Sequence, residues 1–175
     1  AYFAAKETSE HISKHPGKAH ICTACPAVMD YIEKYDPANI TNLLPVVSPM
    51  IAHAEHIKRT YGKQTAVVFV GPCVAKKKEA EIQDYSGLVD CVITFEELNT
   101  LFCMAELELS ECEESTFDEQ PQGESRYFPI SGGGLKTAKI TADLCGDNIL
   151  CADGFEEVQS ALDMLRDTGG AIVLE

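Results

Sequence analysis

With 175 residues, 45% apolar and 24% charged, the chain has the composition of a folded globular domain with a core of useful size. Fourteen basic against 28 acidic residues leave a formal charge of −14, which repels nucleic acid and anionic membranes and excludes both as expected partners. No apolar run is long enough to span a bilayer and no basic-then-apolar leader opens the sequence, so a cytoplasmic location is expected.

Residues 1–14 have the pattern of an amphipathic helix that His15-Pro16-Gly17 stops, and residues 18–22 form a short strand candidate. Pro26 suits the first turn of a second helix, where its missing N–H costs nothing. Val28, Ile32 and Tyr31 or Tyr35 give that helix an apolar face until Asp36-Pro37 breaks it. Ser48-Pro49 is a cap-and-proline helix start, and Gly62 marks the end of that helix.

Residues 65–70 are apolar and β-branched, as in a strand buried on both faces of a parallel sheet. Residues 89–93 form another strand, leading through a Thr94-Phe95-Glu96-Glu97 capping box into a helix to about Ala105. The acidic stretch 109–124 is expected to be a surface insertion within one domain. Residues 126–130 are predicted as a strand that Ser131-Gly132-Gly133-Gly134 turns sharply. Asp153-Gly154-Phe155-Glu156 opens a last helix with Phe155, Val158, Leu162 and Leu165 on one face. Gly169-Gly170 ends it, and residues 171–174 begin a closing strand. This alternation predicts an α/β fold, a mostly parallel layered sheet flanked by helices on both faces. The start at Ala1 and the finish in an open strand suggest a piece of a parent that continues on both sides.

Eight cysteines (22, 25, 73, 91, 103, 112, 145 and 151) without a compact repeat favour reduced thiols or metal ligands over a disulfide framework. Cys22-Thr23-Ala24-Cys25-Pro26 places a C-x-x-C at a strand-to-helix junction, which leaves three readings open. These are a thioredoxin-like redox pair, a zinc or rubredoxin-type half-site that lacks its second C-x-x-C, and two buried thiols at a tight turn. The loop Pro72-Cys73-Val74-Ala75-Lys76-Lys77-Lys78-Glu79 also stands where a strand gives way to a helix, with a thiol and lysines close together. A thiolate at such a turn, beside helix N-terminal amides and a lysine, suits an anionic iron–sulfur cluster. His53 and His56 stand three apart on a helix without a third ligand in register, so a surface or partly buried role is expected. Ser131-Gly132-Gly133-Gly134-Leu135-Lys136-Thr137 departs from a phosphate loop because Leu135 precedes the lysine and the following residues look extended.

In order, the Cys25 loop, Val47-Ser48-Pro49-Met50 and the Cys73 loop resemble the catalytic domain of the FeFe-hydrogenases, whose members carry T-S-C-C-P, K-S-P and P-C-x-x-K-K-x-E segments. The resemblance covers nearly the whole chain. It implies Cys25 and Cys73 as ligands of the 4Fe–4S cubane of an H-cluster, whose remaining two cysteines would lie beyond Glu175. It implies Ser48 beside a diiron subsite, Lys76 as hydrogen-bond donor to a cyanide there, and Pro49, Met50 and Pro72 as pocket walls. Glu79 would hold its loop together.

Three positions depart from the family pattern. Ala24 replaces the proton-relaying cysteine, Leu44 stands for a downstream relay serine, and Gly71 for a methionine against the cluster. These changes resemble the sensory branch, whose members are joined to signalling domains such as PAS or kinase modules. The expected function is therefore reversible dihydrogen chemistry or, more in keeping with the departures, dihydrogen sensing. Protons, dihydrogen and a ferredoxin-type domain or electron carrier are the expected partners. The 175-residue piece is expected to be inactive, with its cluster absent or incomplete. The alternative is a non-enzymatic iron–sulfur carrier or assembly scaffold.

Overall fold

The computed structural model describes residues 1–120, 123–140, 149–168 and 173–175. The expected Gly169-Gly170 helix stop and the start of the closing strand lie outside the described residues. The chain divides into two compact units, Ala1–Ala52 with Pro121–Glu175, and His53–Gln120. Of the two boundaries between them along the chain, the one after Gln120 falls inside the acidic stretch read as a surface insertion. Residues 109–120 are exposed and irregular apart from one 3-10 turn at Leu109–Glu111.

The first unit is built on a parallel three-stranded sheet of order β1-β5-β4, with β1 His20–Ile21, β4 Ile149–Leu150 and β5 Val173–Leu174. Among the described residues, α1 Tyr2–Lys14, α2 Pro26–Tyr35, α6 Gly133–Thr137 and α7 Phe155–Thr168 accompany it. Successive residues of a strand point to opposite faces, and β5 shows the result. Leu174 joins Ile21, Ile32, Leu162 and Leu165 in a core that α2 and α7 supply. Val173 joins Ala5, Leu135 and Ala138 from α1 and α6 in a second core. Helices therefore cover both faces, and the α/β expectation holds.

The second unit contains a two-stranded parallel sheet, β2 Val68–Val70 with β3 Cys91–Ile93. Asp90 closes its start, accepting hydrogen bonds from the Val67 amide at 2.8 Å and Lys58 Nζ at 2.9 Å. These bonds, the backbone one foremost, hold its carboxyl below the ordinary aspartate range. The helix α3, Pro49–Tyr61, runs into this unit, which also contains α4 Ala75–Ala80 and α5 Phe95–Met104. α5 opens on the expected capping box, with Thr94 Oγ1 accepting from the Glu97 amide and Glu97 from the Thr94 amide.

Four expectations need correction. Val68 is 54% exposed and Val70 is also exposed, so β2 is not buried on both faces. Phe155, placed in the buried stripe of α7, is 61% exposed and only Leu162 and Leu165 are fully inside. Residues 126–130 form no strand. A 3-10 turn at Ser125–Tyr127 occupies the region, and its amides are used in short i→i+3 bonds rather than in a ladder. The chain then folds back so closely that a Cβ at Gly133 would lie well inside contact distance of the Tyr127 carbonyl. Lastly, the residues after the glycines are helical rather than extended, because Gly132 takes φ +71° and starts α6.

Candidate functional site

In the first unit the polypeptide leaves β1, passes Cys22-Thr23-Ala24 and enters α2 with Cys25 as N-cap and Pro26 in the first turn. Cys25 is extended (φ −98°, ψ 108°), and its thiol is exposed and free. The first-turn amides of α2 and the positive end of its peptide dipole face the position that Cys25 occupies. The Thr23 hydroxyl donates to the Val46 carbonyl at 2.5 Å, which fastens the Cys25 loop to the segment that leads into Ser48. Ala24 and Val47 line the same small cavity, so the unit does bring the first two motif segments together.

Ser48 is buried and caps α3, accepting weakly from the Ile51 amide at 3.5 Å. Pro49 opens that helix, and Met50 is buried behind it. Leu44 is buried too, with its amide donating to the Ile21 carbonyl.

A cavity of about 410 Å³ adjoins Cys25, walled by Ala24, Val28, Tyr31, Phe155, Val158 and Leu174. Cys22 and Glu175 also reach it, yet Cys22 behaves differently from Cys25. Burial, with Glu175 and Cys151 adding like charge, pushes the Cys22 thiol up to about 12. A thiol with that affinity for its proton is roughly 10⁻⁴ ionised at pH 8, which argues against Cys22 as the nucleophile of a redox pair. All seven described cysteines are free. In the folded chain at pH 8, Cys25 is expected to alkylate with iodoacetamide at least tenfold faster than Cys22, as peptide mass spectrometry would show. Equal rates would revive the dithiol reading.

Glu175 is a residue that sequence reasoning missed. Its carboxylate accepts from the amides of Gly134 at 2.6 Å and Leu135 at 3.0 Å. The first turn of α6, which a phosphate loop would offer to a nucleotide, is thus filled by an internal carboxylate. The only signal in the sequence was an acid ending an apolar strand.

The second unit holds the other motif. β2 ends at Val70, and the Gly71 amide continues its ladder to the Ile93 carbonyl. Pro72 is exposed, Cys73 is half-buried with a free thiol, and α4 follows. Lys76 Nζ donates to Glu79 Oε2 at 2.7 Å, with the two side chains only 12% and 7% exposed. Both residues lie in α4, so the pair joins successive turns of that helix. Lys77 pairs with Glu97 at 2.5 Å on the surface. A side chain at Gly71 would meet the Phe69 ring at 2.8 Å, so this position accepts one only if the ring moves. His53 and His56 gain a partner that the sequence did not reveal, since Glu119 approaches their Nε2 atoms at 3.3 and 3.4 Å. Among the described residues no three His, Cys, Asp or Glu side chains converge on a point fit for a metal ion. Among them, too, no helix is long and apolar enough to cross a membrane.

Comparison with known proteins gives concordant matches. The family described as "Iron only hydrogenase large subunit, C-terminal domain" matches residues 1–171. The cytosolic Fe-S cluster assembly factor NAR1 of the yeast Vanderwaltozyma polyspora is 36% identical over 85 residues, 49% of this chain and 16% of that protein. A structure of HydA1 from Chlamydomonas reinhardtii, a single-residue variant, shares 26% identity at a TM-score of 0.56, covering 77% of this chain and 39% of its own. An FeFe-hydrogenase structure concerned with stepwise H-cluster assembly, HydA(deltaEFG), shares 25% at 0.55, covering 77% and 37%. Another, concerned with oxygen inactivation of the H cluster, matches in fold at 24% identity and a TM-score of 0.58, covering 78% and 42%. The chain thus spans about two fifths of the solved hydrogenase chains and a smaller share of the assembly factor.

Proposed function

Because the chain belongs to the family formed by the C-terminal domain of the iron only hydrogenase large subunit, we propose that it provides part of the thiolate cradle and pocket of a hydrogenase-type iron–sulfur cluster. The observation that carries this reading is Cys25, an accessible free thiol at the N-cap of α2 beside a mostly apolar cavity of about 410 Å³. The donor chemistry fits the group: soft, unoxidised thiols at loop-to-helix turns suit iron–sulfur ligation. Cys25 and Cys73 are the proposed ligands. When bound, the cluster would supply the redox and proton chemistry of dihydrogen.

The remaining roles belong to this chain's own side chains. Glu79 holds the Lys76 ammonium in a buried place, where a fixed cation suits a cyanide on a diiron subsite. Ser48, Pro49 and Met50 form one wall by way of the cap of α3, and Pro72 frames Cys73. Ala24 contributes a methyl group where a relay needs an ionisable atom, and the buried Leu44 extends the dry stretch. Gly71, against Phe69, offers no side chain to the cluster. These features support slow proton delivery and therefore dihydrogen sensing over turnover. That reading calls for a ferredoxin-type domain or electron carrier and an attached signalling domain in the parent protein.

The match to NAR1 favours a second reading, an iron–sulfur scaffold without a diiron subsite. Infrared spectroscopy of the matured parent protein separates the two. Carbonyl and cyanide bands are the expected result. An iron–sulfur cluster without those bands supports the scaffold, and a parent that binds no iron removes both. Reconstituted anaerobically on its own, the 175-residue chain is expected to hold well under one cluster per chain, since its family motifs provide two of the four thiolates a cubane needs.

A further inference from the structure

We propose that His11, His15 and His20 form a clasp that holds the C-terminal end of α1 against β1 and lets it go in mild acid. The last carbonyls of a helix have no amide partners within it. In α1 the His15 amide turns to the Ile12 carbonyl at 3.1 Å, so the His11 carbonyl takes its hydrogen bond from Nδ1 of the His15 ring, at 2.9 Å. His20, buried on β1, donates from Nε2 to the His15 carbonyl at 3.2 Å and ties the strand to the helix end. One N–H on each of these rings suffices, so the clasp is complete with neutral imidazoles.

A second proton on the rings works against it. His11 stacks on His15 with centroids 4.3 Å apart and meets His20 edge-on at 5.7 Å, so three charges would share one small space. A cavity of about 540 Å³ beside the rings has Lys18, Thr41 and Asn42 in its wall and no carboxylate among the described residues. Glu10 is engaged with Lys14 at 3.8 Å, and Glu7, one turn before His11, is exposed. The neighbours from other elements, Thr41, Asn42, Leu165 and Val173, carry no charge.

Carbonyls at a helix end attract an added positive charge, but burial and mutual repulsion prevail here. Burial, then His15, Lys14 and Lys18, hold His11 below the usual histidine range. Burial does the same to His20 against the pull of the His15 carbonyl, with His11, His15 and Lys18 adding to it. Folding therefore favours the neutral form of both rings. Their contribution is complete above the ordinary histidine value of about 6.5 and is lost as pH falls from there through the lower folded values. Ala4, Ala5 and Thr8 of α1 share a small cavity with Thr23 and Ala24, so release of α1 opens one side of the Cys25 loop.

The test is backbone hydrogen exchange on the reduced 175-residue chain at about pH 7.5 and about pH 5.5, a range in which ordinary carboxylates stay ionised. Exchange is expressed as protection factors, and the histidine rings are followed by NMR. Protection of α1 is expected to fall at least tenfold at the lower pH, in step with protonation of His11 and His20, while β2 and β3 change less than twofold. His11→Gln removes the stacked ring but no hydrogen bond of the clasp, and should cut the fall in α1 to less than threefold. Protonation of His11 and His20 with α1 protection unchanged would overturn the proposal, as would an equal loss in β2 and β3. A fall in His11→Gln as large as in the parent would do the same. The exchange profile of the unsubstituted chain decides even if the variant folds poorly.

Discussion

Lys76→Met is expected to destabilise the unit that holds it by about 3–5 kcal/mol, the usual consequence of leaving one member of a buried ion pair without its partner. Glu79 is 6% exposed and Lys76 donates to it at 2.7 Å, so the substitution strands a carboxylate where water scarcely reaches. Methionine keeps most of the lysine stem's volume, which separates charge from packing. The double variant Lys76→Met, Glu79→Leu should recover to within about 1 kcal/mol of the parent, because replacing a whole buried pair by apolar groups is often neutral. Urea denaturation of the four members of this cycle provides the measurement. A single-variant loss below about 1 kcal/mol would mean that the pair is effectively solvated. The double variant is also the right one for asking what the ammonium does for a bound cluster, since the single variant confounds that with folding.

Ala24→Cys in the matured full-length protein is expected to raise dihydrogen turnover by about 10² to 10⁴-fold, the range that a positioned proton carrier contributes. Ala24 is half-buried and borders the 410 Å³ cavity beside Cys25, so a sulfur has somewhere to go without overpacking. Ala24→Ser should raise it less, because a hydroxyl gives up its proton far less readily than a thiol. Rates would be followed as hydrogen evolution with a reduced dye. An unchanged rate in Ala24→Cys, with carbonyl and cyanide bands intact, would show that proton delivery at this position is not limiting.

Local rules made the helices legible. Pro26 and Pro49 in first turns, the Thr94–Glu97 box and the glycine at 62 all stand where capping chemistry places them. The strands were overlong in prediction: residues 18–22 and 65–70 carry β-branched and apolar side chains beyond the two or three residues that find ladder partners. Residues 126–130 misled for a different reason. Arg126-Tyr127-Phe128 has strand composition, but the glycines beyond it let the chain return on itself, and that close approach outweighed propensity. The ligand candidates were visible through their order along the chain, while Glu175 and Glu119 were invisible because each reaches its partners across 40 or more residues.

Placing β5 at the centre of the first sheet has a consequence for how the polypeptide matures. His20 pairs with Val173, about 150 residues later, so β1 has no β5 partner until residue 173 has been synthesised. Closing a loop of that length costs roughly 4 kcal/mol in chain entropy. The intervening stretch His53–Gln120 is continuous and contains its own strand pair. If it folds first, it shortens the effective loop. Nascent chains stalled before residue 173 would then protect β2 and β3 against hydrogen exchange while β1 remained open, an order of assembly opposite to the order of translation at the N-terminus.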